Sequence, residues 1–311
     1  MKARTLLFLA IFSSATISCC GTGSSPKHSG KAGESELLTS SQATGVQTVS
    51  GRVAGYIDDG IFTYKGIPYA KAERFMPPVP ADPWEGVRSS RAYGPTCPQG
   101  KRTGWYSDEL AFSFSWDDGF PDEDCLRVNI WTPGINDGKK RPVMVWLHGG
   151  GYSTGSGQEL PSYDGASLAR KGDIVVVTIN HRLNVLGFLD LSSFGEEYAA
   201  SGNAGLLDIV AALEWVRDNA SAFGGDASNI TIFGQSGGGG KVSTLLAAPS
   251  AQGLFHKAIV QSGSILTNMT SEWSRKIGEL TAKKLGLTAK TIDAIKTIPY
   301  EQLLAAGESA V

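Results

Sequence analysis

Ile230-Thr231-Ile232-Phe233-Gly234-Gln235-Ser236-Gly237-Gly238 is the stretch on which the fold turns. The apolar run Ile230–Phe233 predicts a short strand buried on both faces, and the stretch from Lys241 to Ala248 reads as helix. A serine wedged between glycines at such a junction makes a sharp strand-to-helix turn. The turn lifts its hydroxyl out of the sheet, and small neighbours prevent clashes in the strained backbone. The helix N-terminus beneath it favours developing negative charge. Gly-x-Ser-x-Gly alone is a weak pattern in a chain with 39 glycines among 311 residues. With a strand before it and a helix after it, the pattern marks Ser236 as a nucleophile. The alternative is a structural glycine turn with an incidental serine.

A second glycine-rich turn, His148-Gly149-Gly150-Gly151-Tyr152, follows the apolar run Val143–Leu147. Consecutive glycines leave backbone N–H groups unobstructed, as main-chain binding of an oxyanion requires. Gly150 and Gly151 are the natural donors, joined by the N–H of Gly237 just after the nucleophile. A nucleotide-binding phosphate loop is excluded, because no Lys-Ser/Thr pair follows. His148 reads as a prop for the loop rather than a proton carrier.

Further out, Val128–Trp131, Ile174–Ile179 and Ala258–Val260 are also short apolar runs of the buried-strand kind. Leu206, Ile209, Val210, Leu213 and Val216 lie on one face of a helix that stops at Gly224-Gly225. Val53–Ile57 and Ile61–Lys65, joined by Asp58-Asp59-Gly60, predict an N-terminal β-hairpin. Strands separated by helical segments imply an α/β fold with a mostly parallel central sheet and flanking helices.

At the N-terminus, Lys2 and Arg4 precede the apolar run Leu6–Phe12, and small residues follow up to Cys19. This order predicts a signal peptide over residues 1–18, too short for a stable membrane span. The cysteine at the expected cut resembles the acylated residue of a bacterial lipoprotein, although Thr16 stands where a leucine-like residue is usual. Lipidation of Cys19 is expected, with an ordinary cleaved signal as the alternative. Residues 19–45 are polar and Ser/Gly-rich and read as a flexible linker. A single domain is expected over residues 46–311. The protein is thus expected to be exported, and to meet a membrane only through an N-terminal lipid anchor. Cys97 and Cys125 suggest one disulfide, with two buried free thiols as the alternative. The net charge of −2 argues against nucleic acid as a partner. No Cys/His cluster suggests a metal, and no cofactor is expected.

Several blocks together resemble the type-B carboxylesterase/lipase family, the branch of the α/β-hydrolases that includes cholinesterases. They are Gly66-Ile67-Pro68-Tyr69-Ala70, the run Glu123-Asp124-Cys125-Leu126-Arg127-Val128-Asn129-Ile130-Trp131-Thr132-Pro133, and Phe223 through Gly238. Asn180-His181-Arg182 and Gly202 through Asp208 look like family blocks as well. The resemblance implies an α/β-hydrolase that cleaves carboxylic esters of small molecules with a Ser-acid-His triad. It also implies a Gly150/Gly151/Gly237 oxyanion hole and a Cys97–Cys125 disulfide. By position it implies two structural ion pairs, Arg74 with Glu123 and Arg182 with Asp208, and a triad-supporting role for Ser262. Gln235 stands where many relatives carry glutamate, Gly237 where alanine is common, and His181 at a usual tyrosine position. The segment between the cysteines holds Trp105, Tyr106, Phe112, Phe114 and Trp116 with seven acidic residues. As a rim of the site it would favour cationic or aromatic esters. The alternative is a solvated acidic loop.

The triad is not completed by these residues. In α/β-hydrolases the acid and then the histidine follow the nucleophile. After Ser236 only His256 remains, in a block where it reads as structural. The expectation is therefore the N-terminal part of an esterase domain whose C-terminal part, with acid and histidine, is missing, so that the chain alone is inactive. A non-catalytic cholinesterase-like adhesion protein is the competing class.

Overall fold

The structure, a computed structural model, describes residues 37–100 and 119–311. The expected signal peptide, Cys19 and the linker up to residue 36 lie outside the described residues. So does the acidic and aromatic segment Trp105–Trp116.

A seven-stranded sheet organises the chain. Its strands are β1 (Tyr56–Asp58), β2 (Ile61–Pro68), β3 (Arg127–Thr132), β4 (Arg141–Leu147), β5 (Val175–Ile179), β6 (Gly225–Gln235) and β7 (Lys257–Gln261). They lie in the order β7-β6-β4-β5-β3-β2-β1. The four strands from β7 to β5 are parallel, whereas β5-β3, β3-β2 and β2-β1 pair antiparallel. The sheet is therefore mixed half and half, not mostly parallel. The difference has a local cause: β1, β2 and β3 are not joined by the helical crossovers that parallel pairing needs.

All five residues of β5 are buried, and its unbroken Val-Val-Val-Thr-Ile run is the pattern of a strand covered on both faces. The expected hairpin forms around Asp59-Gly60, both in the left-handed region at φ 46° and 75°. Two central residues of positive φ match the turn to the twist of the flanking strands. The apolar run Val53–Ile57 does not make one strand. It breaks at Gly55, and Arg52–Ala54 pairs instead with Gly45–Gln47 and Val87–Ser89 in a separate small sheet.

The last residues of the expected linker pack onto the sheet region. Ser41–Thr44 forms a helical turn capped by Ser40, and Leu38 bridges Ile57. Thr44 is buried, donates to Ser40 and Gly55, and its carbonyl accepts from the Tyr64 hydroxyl. One buried threonine with three hydrogen bonds is enough to draw this end of a polar segment into the fold.

Helix α1 (Ala204–Asn219) carries the expected apolar face, with Ile209, Val210, Leu213 and Val216 buried. It also delivers Asp208, fully buried, to Arg182. The carboxylate accepts from the Arg182 backbone N–H at 3.0 Å, from Nε at 2.8 Å and from Nη2 at 2.7 Å. Helix α2 (Gly237–Ala247) follows the nucleophile turn, and α3 (Ser271–Lys284) and α4 (Tyr300–Glu308) close the described part. Ahead of α4 the chain makes a separate 3-10 turn, Ile292–Thr297, rather than one continuous helix. The cause is Pro299, which holds the residue before it extended and lacks an N–H to continue a helix. No helix among the described residues is long and apolar enough to cross a membrane.

Candidate active site

Strands β4 and β6 are parallel neighbours in register, with Leu147 opposite Gly234. Their C-terminal ends therefore release the two glycine-rich turns side by side. Ser236 takes φ 55° and ψ −123°, a left-handed conformation that L side chains rarely adopt. That strain persists because the surroundings hold it. The Ser236 N–H donates to the Gln261 carbonyl at 2.9 Å, and its carbonyl accepts from Gly240 at 3.0 Å. The side chain is exposed, and among the described residues its hydroxyl makes no hydrogen bond.

Why the neighbours are glycine is a matter of distance. A Cβ on Gly238 would lie 2.0 Å from the Leu147 carbonyl oxygen, and one on Gly237 would lie 2.5 Å from the Gly151 nitrogen. Gly237 therefore does more than loosen the turn relative to alanine: the opposing loop fills the space its side chain would occupy. Gly150 and Gly151 both have positive φ, 88° and 59°, and the loop closes through Ser153 and Thr154 N–H donations to the Gly150 carbonyl, both 3.0 Å. Among the described residues, the N–H groups of Gly150, Gly151 and Gly237 donate to no carbonyl and no side chain. Three main-chain donors at the turn of an exposed serine are an unused anion-binding capacity.

A cleft of about 750 Å³ opens over Ser236, Gly149, Gly150 and Gly151, with Tyr152, Phe188, Leu189, Ile277 and Leu304 among its walls. Tyr152 and Phe188 meet edge to face at 5.2 Å, an aromatic corner in the same cleft as Ser236. Largely apolar walls with a few convergent polar groups suit a small organic substrate.

None of the three described histidines lies in this cleft. His256 accepts from the Ile230 N–H at 3.2 Å. Ile230 and Ser236 are six residues of extended chain apart, on the order of 20 Å. His148 and His181 are buried beneath the glycine loop, stacked at 5.0 Å and 19°. Their Nδ1 atoms lie 2.9 Å and 2.8 Å from the carbonyls of Gly149 and Arg182. Burial, with the nearby Lys241 charge second, holds His181 well below the ordinary histidine range, so its ring is neutral. Neither ring lines the cleft.

Other expected residues fall into place around this centre. Arg74 grips Glu123 with two nitrogens, and Arg182 holds Asp208; both pairs brace loops rather than face the cleft. Ser262 has φ 52° and is exposed, and its hydroxyl makes no hydrogen bond among the described residues. Cys97 and Cys125 are both buried and adjacent, yet the structure holds them as free thiols rather than as a disulfide. Cys97 Sγ accepts from the Leu183 N–H at 3.1 Å, and hydrogen bonding to Cys97, then burial, pushes the Cys125 thiol well up. Sequence reading missed two polar groups. Asn129 accepts from Gly66 and donates to Thr178, tying β2 and β5 to β3. Lys241, fully buried in α2, donates to the His148 carbonyl at 2.9 Å. Its only sequence signal was a lone cation on an otherwise small and apolar helix.

A mixed sheet with flanking helices, a strained serine on a strand-to-helix elbow at the ends of its parallel strands and a facing glycine loop define the α/β-hydrolase fold. The chain belongs to the carboxylesterase family, whose model matches residues 42–311. It is 46% identical over 269 residues to the para-nitrobenzyl esterase of Bacillus subtilis (strain 168), covering 85% of this chain and 52% of that protein. It is 41% identical over 262 residues to the phenmedipham hydrolase of Pseudarthrobacter oxydans, covering 83% of this chain and 50% of that protein. Among solved structures, it resembles an esterase from Clostridium hathewayi described as hydrolysing aliphatic aromatic polyesters. The TM-score is 0.81 at 45% identity, over 88% of this chain and 54% of that one. The chain spans about half the length of the curated relatives it matches.

Proposed function

We propose that the protein hydrolyses carboxylic esters through an acyl-enzyme on Ser236. The observation that carries this reading is the convergence of an exposed serine hydroxyl with three unengaged N–H groups at one end of an apolar cleft. Ser236 Oγ attacks the ester carbonyl carbon while its proton passes to a general base. The carbonyl oxygen becomes an oxyanion, held by the N–H groups of Gly150, Gly151 and Gly237. The C–O bond to the alcohol breaks, the base returns the proton to the leaving alkoxide, and water then releases the acid by the same steps. The apolar walls favour esters with hydrocarbon or aromatic parts.

The base and its orienting acid lie in sequence additional to these 311 residues. In support, no described histidine reaches Ser236, and the chain spans about half the length of the matched relatives. Ile259 on the edge strand β7, with Leu246, Leu266, Met269 and Trp273, are exposed apolar side chains that further sequence could cover. The N-terminal leader supports export, with Cys19 as a lipid anchor, and Cys97 and Cys125 close a disulfide in an oxidising compartment. The intact serine elbow speaks against a purely adhesive role.

The test is hydrolysis of a short-chain p-nitrophenyl ester by the full-length protein and by residues 1–311 alone. Ser236→Ala is expected to lower kcat of the full-length protein by about 10⁴–10⁶, and the 311-residue chain is expected to show no turnover. Full activity in Ser236→Ala would overturn the nucleophile assignment. Turnover by the short chain that Ser236→Ala abolishes would overturn the external base.

A further inference from the structure

Lys241 is the first residue after Ser236 to carry a side chain, because Gly237, Gly238, Gly239 and Gly240 form the first turn of α2. Four glycines make this a poor helix start, since each costs about 1 kcal/mol relative to alanine. At Gly237, Gly238 and Gly239 an added Cβ would press on backbone, on Gly239 the Gln261 carbonyl at 2.9 Å, whereas at Gly240 it would displace only the tip of Ile265, 2.6 Å away. The turn that aims the nucleophile is therefore weak by itself and depends on tertiary contacts.

Lysine is among the residues least often fully buried, and burying its ammonium is costly unless the group is used. Here it has no carboxylate in contact, and it makes one hydrogen bond among the described residues, to the His148 carbonyl at 2.9 Å. His148 is the root of the glycine loop, immediately after β4. The Tyr152 ring, at the loop's other end, lies 5.6 Å from the same nitrogen, and its hydroxyl sits 3.5 Å from Thr244 on α2. Glu159 and His181 complete the titratable groups that sense this charge. The ammonium thus stands between both ends of the loop and the helix that carries the nucleophile.

We propose, on the reading of Ser236 and the glycine loop given above, that Lys241 is a positioning residue for the oxyanion site. Its ammonium, donated to the His148 carbonyl, pins the Gly149–Gly151 loop to the first turn of α2. It thereby sets the distance from Ser236 Oγ to the loop N–H groups. It touches neither substrate nor reacting atoms and acts through the loop. A methionine would fill the same volume without the donor, and its burial carries no charge penalty.

The experiment compares the full-length protein with Lys241→Met, and with Lys241→Gln, whose amide stops one bond short of the carbonyl. Active sites are counted by titration with a fluorophosphonate, so that kcat is expressed per competent serine. Both variants are expected to melt within a few degrees of the parent, to titrate fully, and to lose about 10- to 100-fold in kcat with KM nearly unchanged. A merely structural lysine would lower the melting temperature or the titrated fraction and leave kcat per site at the parental value. That result overturns the proposal, as does failure of both variants to fold. Ser236→Ala is the control: if it retains turnover, the nucleophile reading falls. If it abolishes turnover while Lys241→Met keeps the parental kcat, the Lys241 assignment alone falls.

Discussion

Gly238→Ala separates the demands of stability from those of catalysis at the nucleophile elbow. The added methyl would stand 2.0 Å from the Leu147 carbonyl oxygen and 2.9 Å from that of His148, both backbone atoms that cannot swing aside. Real Cβ contacts stay beyond 3.0 Å, so α2 and the end of β4 must part by about 1 Å. Overpacking of that size costs about 1–3 kcal/mol. Removing a glycine from a helix returns about 1 kcal/mol. The net loss of about 0–2 kcal/mol amounts to a fall of no more than about 8 °C in melting temperature. The site is less tolerant. Ser236 rides on α2 and the donors Gly150 and Gly151 follow β4, so the same 1 Å opens the gap between nucleophile and oxyanion donors. A misplacement of that order costs about 100-fold in rate, or about 2.7 kcal/mol of barrier. Steady-state hydrolysis of a p-nitrophenyl ester by the full-length variant, alongside its thermal melt, measures both quantities. A kcat within threefold of the parent at unchanged melting temperature would show that the two turns are not held in this register, and would refute the reasoning.

Asp208→Asn removes the charge opposite a buried guanidinium and keeps the shape, so it should destabilise by about 3–5 kcal/mol; a urea midpoint that moves by the equivalent of less than 1 kcal/mol would count against the pairing. Burial lowers Lys241 to about 7 in the folded state, against 10.5 for an ordinary lysine. Between those values the unfolded chain binds the extra proton, so stability from this group rises with pH from about 7 to 10.5. The parent should gain on Lys241→Met across that window in urea unfolding, and a pH-independent difference would contradict the burial of a titrating ammonium. If Cys97 and Cys125 join on export, peptide mapping without reductant should recover them as one linked pair. Reduction should then destabilise the protein by about 3–4 kcal/mol for a loop whose ends are 28 positions apart; two alkylated peptides from the exported protein would leave them as the free thiols seen here.

Much of the centre of this molecule is legible in the chain because its determinants are local. Ser236 announces itself by the strand before it and the glycines around it, and the apolar run Val175–Ile179 can only be a strand covered on both faces. The hairpin turn at Asp59-Gly60 follows from two residues that accept positive φ. Where reading from sequence went astray, a neighbour distant in sequence decided the outcome. The run Val53–Ile57 breaks at Gly55, where the Thr63 carbonyl comes so close that a Cβ would lie only 2.0 Å from it. Thr44, read as part of a tether, is buried with its carbonyl accepting from the Tyr64 hydroxyl twenty positions on.

The sequence by itself determined the family, the sharp glycine turn that carries Ser236 and the glycine loop after Leu147, since these depend on residue chemistry and short-range backbone geometry. Only the tertiary structure decided that the two turns stand side by side, through the parallel register of Leu147 with Gly234. Only it showed that a lone lysine on α2 reaches back to the carbonyl that roots the glycine loop. A hydrogen bond between residues 93 positions apart leaves no periodic or compositional trace. It exists because the sheet brings its two ends within 3 Å.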